Sequence, residues 1–322
     1  MKHTAFSLTL AFTFIAALQS TPAQALNARS FVSASGSDAN DCTRPTPCRS
    51  FQAAHDQTNS GGDIVVLDAA GYGPVTITKS ISIINDGVGE ASMLVAGGVN
   101  GIEITAGPGD VVRLRGLTLY GIGANAGNGI VFNIGKSLII ENCAIHKMTG
   151  TGTLGSGILF RPSSSGNLEV QNTIVSDSGL HGVVVQPTGS GTVTATLDRV
   201  QSLNSGFRGF NVNGGSSTAT INAVITDSIA AKNAVSGFTA VANANQATDV
   251  MVIRSVAAHN GTDGGVTVAN PNATLRVGQS SITGNAATFF VVSGGKLRSY
   301  GDNNIDGNLD GDPAIPTIII KK

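Results

Sequence analysis

The sequence predicts an all-β chain wound into a parallel β-helix solenoid. Three observations support this: a seven-residue frame that recurs about every 27 residues, a glycine-apolar motif that follows most copies of the frame, and a turn-rich composition. The chain has 42 Gly, no Trp and only 12% charged residues. Self-similarity at this period is typical of solenoids, in which each repeat contacts only its neighbours.

Both repeated motifs can be read directly from the sequence. Seven copies of the frame start at Arg115, Glu141, Gln171, Asp198, Asp227, Arg254 and Gln279. The companion motif reads Gly129-Ile-Val-Phe, Gly157-Ile-Leu-Phe, Gly182-Val-Val-Val, Gly209-Phe-Asn-Val, Gly237-Phe-Thr-Ala and Gly265-Val-Thr-Val.

The third and fifth positions of the frame alternate with polar positions, the pattern of a strand with one buried face. We therefore expect both columns to point inward, with Ile229 lying between Val200 and Val256. Each repeat has room for roughly three short strands and contains no run with helical period. One repeat cannot bury its own apolar face, so equivalent strands are predicted to stack about 4.8 Å apart.

Residues 1–25 have the features of a signal peptide. A short basic start precedes an apolar run from Phe6 to Leu18, and Ala23-Gln24-Ala25 is a small-residue cleavage site. We predict cleavage after Ala25 and a secreted or periplasmic protein. No later apolar stretch is long enough to predict a transmembrane helix.

The charge balance argues against a nucleic-acid partner. The chain has 19 basic and 20 acidic residues, and loss of Lys2 with the signal peptide leaves 18 against 20, a net charge of −2. Nucleic-acid binding requires a basic surface that this balance does not favour. The sequence leaves the oligomeric state open.

Residues 26–62 are predicted to form an N-terminal cap. Ser50 is a candidate N-cap for a short amphipathic helix over 51–58 that would cover the open end of the core. Cys42 and Cys48 flank a proline-stiffened loop, which predicts a disulfide in an oxidising compartment. A metal site is the alternative, but it lacks further ligands at suitable spacing. Cys143, in an inward column, is expected to be a buried, unreactive thiol.

The β-helix coils are predicted over residues 63–298, irregular at first and regular from Val111. Residues 299–322 form a polar, turn-rich tail ending in an apolar segment, which we expect to cover the last coil. The segment from Phe31 to Val66 resembles the N-terminal cap of secreted bacterial proteins with right-handed parallel β-helix repeats. The resemblance implies a pectin-lyase-like fold over the mature chain, but that scaffold carries many functions.

Candidate catalytic residues lie in the turns before the glycine-apolar motif. The pattern around His181-Gly182 partly matches the Gly-His-Gly motif of polygalacturonases, which this fold resembles, but the Asn-Thr-Asp and Asp-Asp motifs of that family are absent. Two-carboxylate hydrolysis needs acids within about 5 to 9.5 Å, whereas Asp177 and Asp263 are three coils apart. The weak catalytic candidates are Asp177, His181, Arg208 and Lys232.

Calcium is considered at two places. Pectate lyases of this fold use Asp ligands and an Arg base, and Asp198, Asp227 and Arg254 start successive frames. Directly stacked Asp198 and Asp227 would require a cation or an Arg between them. Weak metal candidates also occur in the tail, which matches the opening of an EF-hand loop but lacks its final Glu; these are Asp306, Asn308 and Asp310.

The seventh frame position is predicted to form an asparagine ladder of Asn204, Asn233, Asn260 and Asn285, in which stacked amides bond one another and hold the coils in register. Outward aromatic residues are scarce, Tyr120 being the clearest. We predict an exported scaffold without catalysis that binds a glycan or a surface protein. The alternative is a polysaccharide lyase or glycoside hydrolase acting on an acidic polysaccharide. No cofactor is predicted other than the calcium considered above.

Overall fold

The computed structural model describes residues 26–315 and 317–320. The predicted signal peptide and its cleavage site lie outside these residues, so they remain predictions. The elements of the first half are β1 (Asn27–Val32), α1 (Phe51–Gln57), β2 (Thr58–Val66), β3 (Ala70–Gly71), β4 (Val75–Ile77), β5 (Ile81–Ile84), β6 (Ala91–Val95), β7 (Ile102–Thr105), β8 (Val111–Arg115), β9 (Leu117–Gly121), β10 (Ile130–Ile134), β11 (Ser137–Glu141), β12 (Ala144–His146), β13 (Ile158–Phe160), β14 (Gly166–Gln171) and β15 (Ile174–Ser176).

The second half continues the same pattern of short strands without a helix in the described residues. Its elements are β16 (Val183–Val185), β17 (Ser190–Asp198), β18 (Gln201–Leu203), β19 (Arg208–Asn213), β20 (Thr218–Thr226), β21 (Ile229–Ala231), β22 (Ser236–Val241), β23 (Thr248–Ile253), β24 (Val256–Ala258), β25 (Gly264–Ala269), β26 (Ala273–Gly278), β27 (Ser281–Thr283), β28 (Phe289–Val292), β29 (Lys296–Ser299) and β30 (Asn304–Asp306).

Three parallel sheets run the length of the molecule. Sheet A has the order β1-β2-β5-β8-β11-β14-β17-β20-β23-β26-β29, sheet B β3-β6-β9-β12-β15-β18-β21-β24-β27-β30, and sheet C β28-β25-β22-β19-β16-β13-β10-β7-β4. Each regular coil contributes one strand to A, B and C in turn, and neighbouring coils pair in parallel. This is the right-handed parallel β-helix that the sequence predicts.

The core lies between the three sheets, where inward side chains of successive coils stack on one another. Phe132 stacks on Phe160 at 4.6 Å between ring centroids, and Phe210 stacks on Phe238 at 5.1 Å. These rings are buried. Offset stacking of this kind stabilises neighbouring coils beyond the apolar area that they bury.

The turn from sheet A to sheet B fixes the bend of each coil. Its first residue adopts the left-handed conformation, with φ between 46° and 54° for Asn142, Asn172, Arg199, Asp227, Arg254 and Gln279. From Val200 onward a serine ladder follows this residue. Ser228 Oγ accepts a hydrogen bond from Val200 N and donates to Thr226 O, and Ser255 Oγ does the same for the next coil.

The third and fifth positions of the seven-residue frame point inward in the first four copies, as predicted, but not in the last three. Val200 is buried, but its equivalent in the next coil is Ser228 and not Ile229. Ile229 pairs with Gln201 and Val256 on the outer face of sheet B and is half-buried, so the prediction that it lies in the core is wrong. The left-handed turn position accepts Asn, Arg, Asp or Gln, and an acidic residue there therefore does not define the register.

Asp198 and Asp227 do not occupy equivalent positions, because the repeat is shifted by one residue between these two coils. Asp198 pairs with Thr226 and binds Arg199 at 2.7 Å, whereas Asp227 lies at the following turn position. Arg254, one coil later, donates to both carboxylate oxygens of Asp227, at 2.9 and 2.6 Å. The predicted stack of two acids is wrong, and an arginine occupies the place where a cation was considered.

The asparagine ladder exists, with one member replaced. Asn260 Nδ2 donates to Asn285 Oδ1 at 2.9 Å, and Asn233 makes the same bond to Asn260. Asn308 extends the ladder by accepting from Asn285. Asn204 does not belong to it, because Ser205 occupies the equivalent position and donates its backbone N–H to Asn233 Oδ1.

The N-terminal end is closed by α1 and by the disulfide. Ser50 accepts a hydrogen bond from Ala53 N, as expected of an N-cap. Gln52 and His55 of the helix accept hydrogen bonds from the backbone N–H groups of Thr76 and Thr78, at the edge of sheet C. The helix therefore provides acceptors for backbone N–H groups at β4, the edge strand of sheet C, which would otherwise be free to pair with another chain. The Cys42–Cys48 disulfide is present, as predicted.

At the other end, residues 317–320 add a short bridge to sheet A. Ser299 N donates to Thr317 O and Ile319 N donates to Ser299 O, each at 2.8 Å. Cys143 is buried and unpaired with another cysteine, and burial raises the pKa of its thiol to about 11. In the described part of the chain, no helix has the length and hydropathy needed to cross a membrane.

Candidate functional site

The outer face of sheet C differs from an ordinary solvent-facing sheet because its central column is buried. Val131, Leu159 and Val184 form a small apolar cluster separate from the main core. In the following coils the same column contains Asn211, Thr239 and Thr267, which are also buried. Polar residues therefore replace apolar ones on a covered strip, and buried polar groups require partners.

His181 and Arg208 lie beside this strip, at equivalent positions of consecutive coils just before the glycine-apolar motif. His181 packs edge-on against Phe207, with 5.1 Å between ring centroids. The Arg208 guanidinium lies over the same phenyl ring at 4.4 Å and reaches Asp263 at 3.6 Å. One aromatic ring thus contacts both side chains, through an edge-on ring contact with His181 and a cation–π contact with Arg208.

The His181 imidazole is neutral at physiological pH. Burial, and then the positive charge of Arg208, lower its pKa from 6.5 to about 4. The pKa of Arg208 is also lowered, by burial first, with Asp263 acting in the opposite direction. Arg208 still remains protonated, because a guanidinium is too basic to lose its proton in a protein. The pair therefore offers one cation beside one neutral ring.

Several buried atoms around this pair lack a hydrogen-bond partner among the described residues. They are His181 Nδ1, Arg208 Nε, Asn211 Oδ1 and Thr239 Oγ1. An unsatisfied buried polar atom costs about 1 to 3 kcal/mol, so a group of them in adjacent coils is unusual in a structural region. These atoms have hydrogen-bonding capacity that the described protein groups do not use.

A pocket of about 410 Å³ opens beside His181 toward the preceding coils. Its lining includes Leu159, Arg161, Leu180, Val184 and Gln186. Toward the N-terminal end the central column is apolar from Val184 back to Val131, and polar side chains occur again beyond and beside it. Arg161 Nε donates to Asn133 Oδ1 at 2.7 Å, and Asn133 in turn donates to Glu103 at 3.0 Å. We call the surface from Glu103 to Asp263 the sheet C groove, after the pocket that forms its concave part. It crosses seven coils, or about 29 Å at the usual strand spacing.

Comparison with known proteins defines the fold without defining the activity. No family model matches the chain, and no curated protein matches it. Among solved structures, the crystal structure of pectate lyase Pel9A matches with a TM-score of 0.54 and 18% identity, covering 87% of this chain and 79% of that one. The protein has a pectin-lyase-like β-helix fold. A rhamnogalacturonan lyase matches with a TM-score of 0.46 and 12% identity over 89% of each chain, and a GH136 lacto-N-biosidase from Eubacterium ramulus with 0.44 and 11% over 87% of this chain and 68% of that one.

Of the four catalytic candidates on this pectin-lyase-like scaffold, the structure brings His181 and Arg208 together. Asp177 lies earlier in the turn, where its carboxylate accepts hydrogen bonds from Asn204 and Ser176 that lower its pKa. Lys232 is exposed and occupies the left-handed position of its own turn. Asp177 and Lys232 therefore belong to the outer column of turn residues.

The three metal candidates of the tail are engaged separately. Asn308 belongs to the asparagine ladder, and Asp310 accepts hydrogen bonds from the backbone N–H and hydroxyl of Thr288. Asp306 is exposed at the end of β30. Within the described residues, no group of three or more His, Cys, Asp or Glu side chains is positioned to hold a metal ion. Calcium binding by these residues remains a prediction.

Sequence reasoning missed Asn211 and Thr239, and it considered Asp263 only as half of a carboxylate pair. A signal for the first two was present. The third position of the glycine-apolar motif is apolar in the first three copies and then becomes Asn211, Thr239 and Thr267. A change from apolar to polar in one column of a solenoid indicates a change in what covers that column.

Proposed function

We propose that the protein binds an acidic polysaccharide in the sheet C groove. The observation that carries this proposal is the set of unpartnered buried polar atoms around Arg208, in a site with one fixed cation. A guanidinium matches the geometry of a carboxylate, and the neutral His181 and the side chains of Asn211 and Thr239 offer hydrogen bonds to hydroxyl groups.

A linear polymer fits the groove better than a compact ligand does. The polar positions repeat along the solenoid axis at the spacing of the coils, and Arg161 provides a second guanidinium toward the N-terminal end. With the signal-peptide features and the disulfide, we propose that the protein meets this polymer outside the cytoplasm.

The reaction that these groups would fit is β-elimination next to a uronic carboxylate. Hydrolysis by two carboxylates is not supported, because Asp263 is the acidic side chain in contact with Arg208 and no second acid among the described residues forms an ion pair there. Rotating the Asn211 amide would bring Oδ1 to His181 Nε2, which lies 3.5 Å from Asn211 Nδ2. His181 would then keep its proton on Nε2, and Nδ1 would take the C5 proton of the uronic sugar while the C4–O bond breaks and the departing sugar oxygen takes a proton from water. Because Nδ1 is buried in this conformation, the imidazole must first turn toward the groove.

Calorimetric titration with polygalacturonate, alginate and a neutral glucan, with and without calcium, tests the binding. We expect the uronic polymers to bind and the glucan not to bind. Arg208→Ala should weaken binding about tenfold or more, the loss expected for a charge-assisted contact. Arg199→Ala, which removes an exposed arginine of the sheet A turn, is the matched control. Equal binding of the glucan, or unchanged binding by Arg208→Ala, would contradict the proposal.

Catalysis needs its own measurement, because binding alone fits a scaffold. The unsaturated product of elimination absorbs ultraviolet light, so its appearance can be followed directly. We expect His181→Ala to abolish product formation while keeping most of the binding. A wild-type protein that binds uronic polymers without forming product has only the binding function.

A further inference from the structure

A second pocket lies on the outer face of sheet A, near its C-terminal edge. It encloses about 900 Å³, and its lining includes Met251, Ile253, Arg276, Arg298 and Tyr300. Ile319 and Ile320 of the terminal segment also line it. Volumes of this size, mainly apolar with a few polar groups, are typical of small-molecule sites. We call it the sheet A pocket.

The register of sheet A explains how the pocket forms. Met251, Arg276 and Arg298 occupy one outward column in three consecutive coils. Gly278 follows Ile253 in the neighbouring outward column. A Cβ atom at Gly278 would lie 2.7 Å from Tyr300 Cδ2 and 3.3 Å from Ile253 Cδ1. The glycine therefore makes room for the Tyr300 ring, which packs against its backbone and forms one side of the pocket.

The two arginines of the pocket differ in how they are compensated. Arg276 donates to Asp249 at 3.0 Å, so its charge is balanced. Arg298 forms no ion pair with any residue that the structure describes. It is half-buried and lines the pocket together with Ile253, Tyr300 and Ile319. Asp302, the acidic residue that also lines the pocket, accepts a hydrogen bond from Gln279 N at 3.1 Å. A half-buried guanidinium that has no ion-pair partner among the described residues and lies beside apolar side chains is complementary to an anion that carries an apolar chain.

We infer that the sheet A pocket binds a small amphipathic carboxylate, with its acid group on Arg298 and its acyl chain against Ile253, Tyr300 and Ile319. This site is separate from the sheet C groove and does not depend on the function proposed there. The terminal segment forms one wall and is attached to Ser299 by two backbone hydrogen bonds. Ligand binding should therefore hold this segment in place.

Titration calorimetry with octanoate tests the inference. Octylamine has the same chain with the opposite charge, and acetate has the same acid without the chain. We expect saturable one-to-one binding of octanoate and no binding of the other two. Arg298→Ala should weaken octanoate binding about tenfold or more, and Arg298→Lys should weaken it less, because a lysine keeps the charge without the bidentate geometry.

Arg113→Ala is the matched control, because Arg113 is an exposed arginine of the same outward face of sheet A, several coils away. Its octanoate affinity should equal that of the wild type. Tyr300→Leu should retain binding while removing the change in tyrosine fluorescence on titration.

Three results would overturn the inference. They are equal binding of octylamine, full binding by Arg298→Ala, and a dimer that Arg298→Glu dissociates while octanoate does not bind. In the last case the surface would be an interface between two copies of the chain.

Discussion

At the scale of single residues, the environment of His181 makes one part of the stability depend on pH. Its pKa is lowered to about 4 in the folded protein by burial and by Arg208, whereas the unfolded chain keeps a value near 6.5. Between these two pH values the unfolded state binds more protons than the folded state. The free energy of unfolding is therefore not reduced by His181 above pH 6.5, and it falls as the pH drops from 6.5 toward 4.

We predict that this loss is about 2 to 3 kcal/mol between pH 7 and pH 4, from 1.36 kcal/mol per unit of pKa. Urea unfolding of the wild type and of His181→Gln at both pH values measures it, because the contributions of the other groups cancel in the comparison. The wild type should lose more stability than the variant. Equal losses in the two proteins would mean that His181 is protonated as easily when folded as when unfolded.

Two isoleucines four residues apart test the inside and outside of a coil. Ile225 is buried on the inward face of sheet A, and Ile229 lies half-buried on the outer face of sheet B. Ile225→Ala should cost roughly 2 to 5 kcal/mol, the range for a buried large-to-small change. Ile229→Ala should cost about 1 kcal/mol or less, since it leaves no enclosed cavity. Urea unfolding of both variants decides, and a larger cost at Ile229 would contradict the register of β21.

At the scale of elements, the sequence predicted the strands, the helix and the closed solenoid, because period-two alternation and N-capping are local signals. It did not predict the register after Asp198. Asp227 resembles Asp198 chemically, but it occupies the turn position of Arg199, where several residue types adopt the same left-handed conformation. The residue type at that turn position therefore says little about which of the following residues point inward and which point outward.

The candidate site was predicted only in part, for a related reason. His181 and Arg208 were found because they precede a repeated glycine, but Asp263, the ion-pair partner of Arg208, lies two coils beyond it. Contacts between coils depend on how far a side chain reaches along the solenoid axis, which a repeat pattern does not specify.

The asparagine ladder is the element that most directly couples one coil to the next. Asn260 accepts hydrogen bonds from the backbone and side-chain N–H groups of Asn233, and it donates to Asn285 and to Ala230 O. Asn260→Ala leaves buried N–H groups without an acceptor and should cost roughly 2 to 4 kcal/mol. Asn222→Ala, on the exposed face of sheet A, should change stability by about 0.5 kcal/mol at most. Similar costs for the two variants in urea unfolding would show that the ladder adds nothing beyond ordinary surface contacts.

At the scale of the whole molecule, the two ends of the β-helix are closed differently. Side chains of α1 accept hydrogen bonds from the N-terminal edge strand of sheet C. The disulfide loop pairs with β1 at the edge of sheet A, where Phe31 N donates to Cys42 O and Cys48 N donates to Phe31 O, and both cysteines are fully buried. At the other end, β28 is the last strand of sheet C, and its Phe290 and Val291 are 45% and 39% exposed. In a solenoid each coil is stabilised mainly by its neighbours, so the ends determine where unfolding starts.

This asymmetry gives a prediction about removal of the Cys42–Cys48 disulfide. Opening a loop this short should cost roughly 2 kcal/mol in the chain-entropy model. In a quasi-one-dimensional protein the loss should fall on the nearest coils. In a Cys42→Ala, Cys48→Ala double variant, we therefore expect faster hydrogen exchange in β2, β4 and β5, which pack next to the cap, while β17, β20 and β23 in the middle of sheet A keep the protection of the wild type. Exchange that rises equally in all these strands would mean that the β-helix unfolds as one cooperative unit, and the cap would then stabilise every coil and not only its neighbours.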